Sequence, residues 1–96
     1  MKDGQELKKL PLEFNRAGFH WKQIARTEEK AIYSGTLKSG RVNVWEVIMV
    51  RKAPAGRIMG VPYPPREVFP KTSDWGSYGW TFNDEERAMK KYNTLN

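Results

Sequence analysis

Between Arg41 and Arg51 the side chains alternate with a period of two, and both phases are apolar: Val42, Val44, Ile48 and Val50 share one face of an extended chain, and Trp45, Val47 and Met49 share the other. A strand of that kind needs cover on both sides, since either face left in water forfeits the burial that holds a small domain together. With 96 residues the chain supplies one such core and no more, because a domain of this size buries only about 65% of its unfolded surface. The expected organisation is a single small domain over residues 1–96, frayed across 1–10, with material packed on each face of a central strand.

The neighbouring segments provide partners for that strand. From Phe19 to Thr27 the chain again reads with period two, placing Trp21, Gln23, Ala25 and Thr27 on one face and Lys22, Ile24 and Arg26 on the other. Glu28-Glu29-Lys30 turns it, and residues 31–37, with the β-formers Ile32, Tyr33 and Thr36, read as a further strand. Lys38-Ser39-Gly40 forms a tight turn after it, Gly supplying the positive φ that a hairpin connection uses. Before the sheet, residues 11–17 read as a short helix, with Pro11 suiting its first turn and Gly18 the left-handed residue that ends it. After it, Asn83 and Glu86 have capping-box spacing, Asp84, Glu85 and Glu86 precede Lys90 and Lys91 in the order the helix dipole favours, and Ala88, Tyr92 and Leu95 form one apolar stripe. The expected fold is α+β: a three-stranded antiparallel meander over 19–51, a short N-terminal helix, a long proline-, glycine- and aromatic-rich loop, and a C-terminal helix over 84–95. Helix and loop would cover opposite faces of the sheet.

Composition removes several functional classes. The chain has no cysteine, which excludes disulfides, thiolate metal sites, iron–sulfur clusters and cysteine nucleophiles and suits an intracellular setting. Its first residues contain no apolar stretch of signal-peptide length. The longest apolar run, Val47 to Val50, falls far short of the roughly 20 residues that cross a bilayer, so a cytoplasmic protein with no membrane partner is expected. Net charge is +6 and the isoelectric point about 9.7. The charge is uneven: residues 31–71 hold seven Lys and Arg against two Glu. Such a surface attracts phosphate backbones or acidic protein faces, while a bland reading gives the same charge only the task of keeping a small domain in solution.

Residues 54–80 hold five of the six prolines and four of the eight glycines. Structureless connections longer than about 15 residues are uncommon in compact domains and are usually functional or disordered. Val61-Pro62-Tyr63-Pro64-Pro65-Arg66 contains a Pro-x-x-Pro step beside a base, but Arg66 stands one position closer than polyproline docking favours, so a rigid loop is the better reading. Residues 75–82, Trp-Gly-Ser-Tyr-Gly-Trp-Thr-Phe, place four rings in eight positions. They offer planar faces on which bases stack, with Lys52, Arg57, Arg66 and Lys71 to neutralise phosphates, or they supply the missing cover for the sheet. Trp80 and Phe82 are expected buried at the helix–sheet junction and Trp75 and Tyr78 exposed near the glycine-rich turn. The candidate binding residues are thus Lys52, Arg57, Arg66, Lys71, Trp75 and Tyr78.

No catalytic constellation is visible. His20 is the single histidine; an enzyme would need it beside Glu46 on a neighbouring strand, within hydrogen-bond reach. Glu46 lies between apolar residues and requires a cationic partner, Arg26 or Arg51 being the candidates. Asp84-Glu85-Glu86 is better explained by helix capping than by metal binding, and neither a phosphate-cradling glycine loop nor a nucleophile elbow is present. No cofactor or metal is expected.

The ordered series Gly18-Phe19-His20-Trp21-Lys22-Gln23-Ile24-Ala25-Arg26, Ala31-Ile32-Tyr33, Trp45-Glu46-Val47, Trp75-Gly76-Ser77-Tyr78-Gly79-Trp80-Thr81-Phe82 and Ala88-Met89-Lys90-Lys91-Tyr92-Asn93 resembles short, cysteine-poor proteins of unknown function encoded by bacteriophages and prophages. The resemblance spans most of residues 14–95 and brings no functional residues with it. It implies a non-enzymatic accessory protein acting in the bacterial host cytoplasm on nucleic acid or a nucleoprotein complex, or alternatively an inhibitor or adaptor for one host protein with an acidic face.

Overall fold

The computed structural model describes residues 7–95, the side chains of Val42 and Asn43 excepted. In chain order it contains β1 (Glu13–Arg16), β2 (Phe19–Arg26), β3 (Lys30–Thr36), β4 (Val42–Met49), β5 (Arg51–Ala53), β6 (Gly56–Ile58), β7 (Val61–Tyr63), β8 (Arg66–Val68), a 3-10 turn at Thr72–Asp74, β9 (Gly79–Phe82) and α1 (Glu85–Thr94). Five strands make one antiparallel sheet in the order β1-β2-β3-β4-β9, while β5 pairs with β8 and β6 with β7 in two separate ladders. The fold is therefore mostly antiparallel sheet with one C-terminal helix.

Two expectations about this architecture are corrected. The sheet has five strands rather than the three of a meander over 19–51, because residues on either side of that span join it. Residues 13–16 are strand β1 rather than helix: Ala17 and Gly18 both adopt positive φ, 55° and 84°, and make a two-residue hairpin turn that sets Phe14 opposite Trp21 and Arg16 opposite Phe19. A glycine at positive φ serves a helix end and a hairpin equally well, so Gly18 does not by itself distinguish the two.

The central strand of the sheet is β3, with β2 on one side and β4 on the other, and it is buried from Ala31 to Gly35. The alternating apolar faces of β4 divide as the sequence predicts at Val44, Trp45, Val47 and Ile48, the side chain of Val42 lying outside the described residues. Ile48 joins Leu10, Trp21, Ala31 and Tyr33 in one cluster, against which Phe14, Phe19, Val44, Val50 and Phe69 pack. Val47 joins Ile32, Ala88 and Tyr92 in the other, with Trp45, Trp80, Phe82, Met89 and Leu95 around them. The helix covers the second face. The first is covered by Leu10, Phe69 and the sheet's own rings, and not by the whole of residues 54–80. Trp21 lies flat across Gly35, where a Cβ would stand 2.8 Å from its ring and 2.7 Å from Val44, so the glycine is what lets the indole approach the backbone.

The face alternation of β2 breaks at one point. Gln23 pairs with Tyr33 and Ala25 with Ile32, leaving Ile24 as an extra, exposed residue in a bulge. The bulge reverses the phase beyond it: Ala25 turns to the helix face and Arg26 to the face of Trp21 and Tyr33. Without it Arg26 would point at the helix.

Asp84, rather than Asn83, caps α1, accepting a hydrogen bond from the Glu86 N–H at 3.1 Å. At the other end Lys30 donates through Nζ to the carbonyls of Tyr92 (2.6 Å) and Leu95 (3.1 Å), which satisfies orphan acceptors and places a cation at the negative end of the helix. Of the residues expected to fray, 1–6 lie outside the described residues, while Leu10 is buried and Lys8 is hydrogen-bonded to the chain at Pro65 and Glu67.

Candidate nucleic-acid interface

The segment read from sequence as a long irregular loop is largely a two-stranded β-arm. Lys52 faces Glu67 and Ala53 faces Arg66 in its proximal ladder; Gly56 faces Tyr63 and Ile58 faces Val61 in its distal one. Both ladders keep one register, so Pro54 and Ala55 fall opposite Pro65 and Pro64. The gap between the ladders is therefore where prolines oppose each other and ladder donors are lost. Met59 and Gly60, at φ 55° and 81°, form the two-residue turn at the tip. Pro62 stands next to the Ile58–Val61 pair that closes this turn, at a position where a missing N–H removes no ladder bond. Tyr63 lies over Gly56, whose missing Cβ makes room for the ring.

The root of the arm is anchored by Glu67, a residue that no local signal in the sequence marks. Its carboxylate, fully buried at the side chain, takes a bidentate pair from Arg26 (2.7 and 2.8 Å) and the Leu10 N–H at 2.9 Å. The hydrogen bonds from Arg26 hold the Glu67 carboxyl at about 2, against an ordinary 4.5, with burial opposing them and the Leu10 N–H assisting; the same pairing raises Arg26. The Lys8 N–H donates to the Pro65 carbonyl (2.9 Å) and the Glu67 N–H to the Lys8 carbonyl (2.8 Å). The bulge at Ile24 is thus what delivers Arg26 to the arm.

Of the sequence-predicted site, Lys52, Arg57 and Arg66 lie on this arm, all exposed. Arg57 donates to the Gly60 carbonyl at 3.0 Å and holds a cation at the neck of the tip; the Arg66 guanidinium sits 5.2 Å from the centre of the Tyr63 ring. Lys71 lies at the root, where with Arg51, Lys52, Val68, Phe69, Ser73 and Asp74 it lines a shallow pocket of about 280 Å³. Arg51 pairs loosely with Asp74 (3.6 Å) and covers the Tyr78 ring at 4.4 Å, which brings Tyr78, 41% exposed, to the same root. Trp75 follows the 3-10 turn that Lys71 precedes. Its ring packs on Gly79 and its indole N–H donates to the Thr81 hydroxyl at 2.9 Å, so although 36% exposed it is engaged in closing its own turn. Trp80 and Phe82 are half-buried against the helix cluster at the junction, and Lys91 lies 4.2 Å from the Trp80 ring centre.

Among the described residues no carboxylate pairs with Lys8, Lys52, Arg57, Arg66 or Lys71. The one acid on the arm, Glu67, faces inward and is neutralised by Arg26. The exposed charges of the arm are consequently all cationic, Lys52 on the face of Glu67 in the proximal ladder and Arg66 on the other, which the net charge alone did not reveal. Also absent from the sequence-derived set were Lys8, which with Ile58, Tyr63, Pro64 and Arg66 lines a second shallow pocket of about 290 Å³, and the tip residues Ile58, Met59 and Val61, which are 65%, 95% and 65% exposed. Recognising Met59-Gly60 as a hairpin turn would have found them.

The arrangement imagined for an enzyme does not form. His20 on β2 and Glu46 on β4 are separated by β3; His20 is hydrogen-bonded to Asn15 (2.9 Å) and Glu13 (2.8 Å). Glu46 is held bidentately by Arg16 at 2.7 and 2.8 Å, and not by Arg26 or Arg51. The β1–β2 hairpin, unseen in the sequence, is what brings Arg16 there. Among the described residues no group of three or more His, Cys, Asp or Glu is placed to hold a metal ion, and no helix is long and apolar enough to cross a membrane. Comparisons with protein-family models, with curated proteins and with solved structures return no match.

Proposed function

We propose that this chain is a small non-enzymatic accessory protein, of the phage type and working in the bacterial cytoplasm, that binds nucleic acid or a nucleoprotein complex through its basic β-arm. The observation that carries the reading is the uncompensated charge of the arm: Lys52, Arg57 and Arg66 are exposed, while the only arm carboxylate, Glu67, is buried against Arg26. Two-stranded ribbons enter the grooves of duplex DNA, and cations along this one track phosphates without reading sequence. Lys71, Lys8 and Arg51 extend the contact to the root of the arm, and Tyr78 offers a ring there for a displaced base. Trp75 contributes to this surface only through the shape of its turn.

Direct titration of labelled single-stranded and duplex oligonucleotides tests the proposal. Binding at low salt with a dissociation constant of about 10⁻⁴ to 10⁻⁶ M or tighter is expected, and the triple variant Lys52→Gln, Arg57→Gln, Arg66→Gln should lose it. If the wild type fails to bind any oligonucleotide below about 100 μM at low salt, the reading is wrong. Capture from a bacterial lysate before and after nuclease treatment then addresses the alternative, an acidic host protein, whose retention after nuclease would assign the cationic arm to a protein partner.

A further inference from the structure

The tip of the arm has a chemistry that phosphate binding does not use. From Ile58 through Pro62 no side chain has a hydrogen-bond donor or acceptor other than the weak thioether of Met59. Ile58, Met59 and Val61 are among the most exposed large apolar residues of the described chain. Ile58 and Val61 face each other across the distal ladder and share its side with Tyr63, and Met59 stands at the apex. An apolar end this exposed, on a narrow ribbon, is unfavourable in water unless something covers it. Nothing in the remainder of the described chain packs on it: the distal ladder is exposed at every position except Gly56 and Tyr63.

Charge decides which occupant suits the tip. Arg57 is fixed at its neck by the Gly60 carbonyl, and Arg66 and Lys8 flank the pocket formed with Ile58, Tyr63 and Pro64. The apolar end therefore has Arg57, Arg66 and Lys8 beside it, and the one acid of the arm, Glu67, lies at the root. Such a tip cannot read the edges of bases, since it has no suitable donors or acceptors; what it offers is apolar bulk at the end of a cationic lever. In duplex DNA the continuous apolar surface lies between stacked base pairs, the thymine methyls of the major groove being isolated single groups.

Resting on the nucleic-acid reading above, we infer that Ile58, Met59 and Val61 form a wedge that enters duplex DNA from the minor groove and partly unstacks a base step, bending the duplex, while Arg57, Arg66, Lys8 and Lys52 hold the phosphates on either side. Minor-groove wedges made of apolar side chains kink DNA by about 20–90° toward the major groove. The ligand class is duplex DNA with little sequence preference beyond steps that unstack readily, the pyrimidine–purine ones.

The test is ligase-mediated cyclisation of a DNA fragment of about 120 bp, shorter than the roughly 150-bp persistence length, so that ring closure reports bending directly. Binding to the same fragment is measured in parallel. Wild type should accelerate ring closure at least tenfold. The tip variant Ile58→Ser, Met59→Ser, Val61→Ser, whose positions are exposed and whose folding is checked by circular dichroism and urea unfolding, should bind within about threefold of wild type yet lose the acceleration. Binding without accelerated closure by the wild type would overturn the wedge and leave the nucleic-acid reading standing, as would closure still accelerated by the tip variant. Absence of binding by the wild type would overturn both. Sedimentation of the wild type without DNA is the remaining arm: a dimer abolished by the tip substitutions would give the tip to a second copy of the chain and overturn the wedge.

Discussion

Replacing Glu67 by Gln should destabilise the protein at neutral pH and remove a defined part of its acid sensitivity. In the folded chain the carboxylate is buried beneath the arm, bonded twice to Arg26 and once to the Leu10 N–H, and its pKa falls from 4.5 to about 2. At 1.36 kcal/mol for each pKa unit, that difference corresponds to about 3 kcal/mol of stability at pH 7. Because folding lowers the pKa, the contribution is complete above about pH 5, fades as pH falls through 4.5, and is exhausted near 2; by pH 3 about 2 kcal/mol of it should be gone. Gln keeps the shape but not the charge, leaving Arg26 without its counter-ion, so the variant should be weaker by about 3 kcal/mol or somewhat more at pH 7. Urea unfolding of both proteins at pH 7, 5, 4 and 3 separates this residue from the other acids, since only the difference between the two curves is used. The gap should narrow by about 2 kcal/mol from pH 7 to pH 3. Parallel curves across that range would show that the Arg26–Glu67 pair does not set the root of the arm. A double variant, Arg26→Leu with Glu67→Leu, should recover part of the loss, because removing both charges leaves neither one buried alone.

The packing sets three further outcomes. Gly35→Ala should cost about 1–3 kcal/mol in thermal or urea unfolding, since the new methyl meets Val44 and the Trp21 ring at 2.7–2.9 Å; a neutral change would mean that the indole has room to move. Trp80→Ala, which removes a ring from the helix cluster, should destabilise by about 3 kcal/mol, whereas Trp75→Ala should cost about 1 kcal/mol through its Thr81 hydrogen bond and its contact with Gly79, and equal losses would refute that division. Amide exchange should protect the buried strand Ala31–Gly35 to near the global unfolding free energy, while Arg57–Val61 at the arm's end should exchange by local opening at far lower cost; matched protection would contradict an arm that stands away from the body.

What could be read from the sequence divides along physical lines. The two apolar phases of residues 42–50 announced a strand covered on both sides, and the helix that covers one of them was legible from Ala88, Tyr92 and its acidic first turn, although its cap is Asp84 and not Asn83. These signals are periodic and local. The corrections fall where one residue type fits two geometries. Gly18 suits a helix end but belongs to a hairpin, and the prolines of residues 54–70 suggest a loop where the chain forms strands. Pro54, Pro64 and Pro65 sit between two ladders, and Pro62 occupies a position that needs no ladder donor, so the arm is compatible with all four. The bulge at Ile24 has no local signal, and with it the Arg26–Glu67 pair, joining residues 41 positions apart, was out of reach. Charge alone singled out Lys52, Arg57 and Arg66, which the fold places on one arm. The apolar tip was missed because Ile, Met and Val are ordinarily read as core.

The central claim is that the cationic arm binds by neutralising phosphates, and the salt dependence of duplex affinity tests it most directly. With Lys8, Arg51, Lys52, Arg57, Arg66 and Lys71 each contacting one phosphate, log K should fall against log salt with a slope of about −5.4, at about −0.9 for each contact. The variant Lys52→Gln, Arg57→Gln, Arg66→Gln should flatten that slope to about −2.7 while leaving the fold's stability within about 1 kcal/mol, as expected of exposed positions. A slope unchanged in the variant, or no duplex binding by the wild type at low salt, would contradict the account.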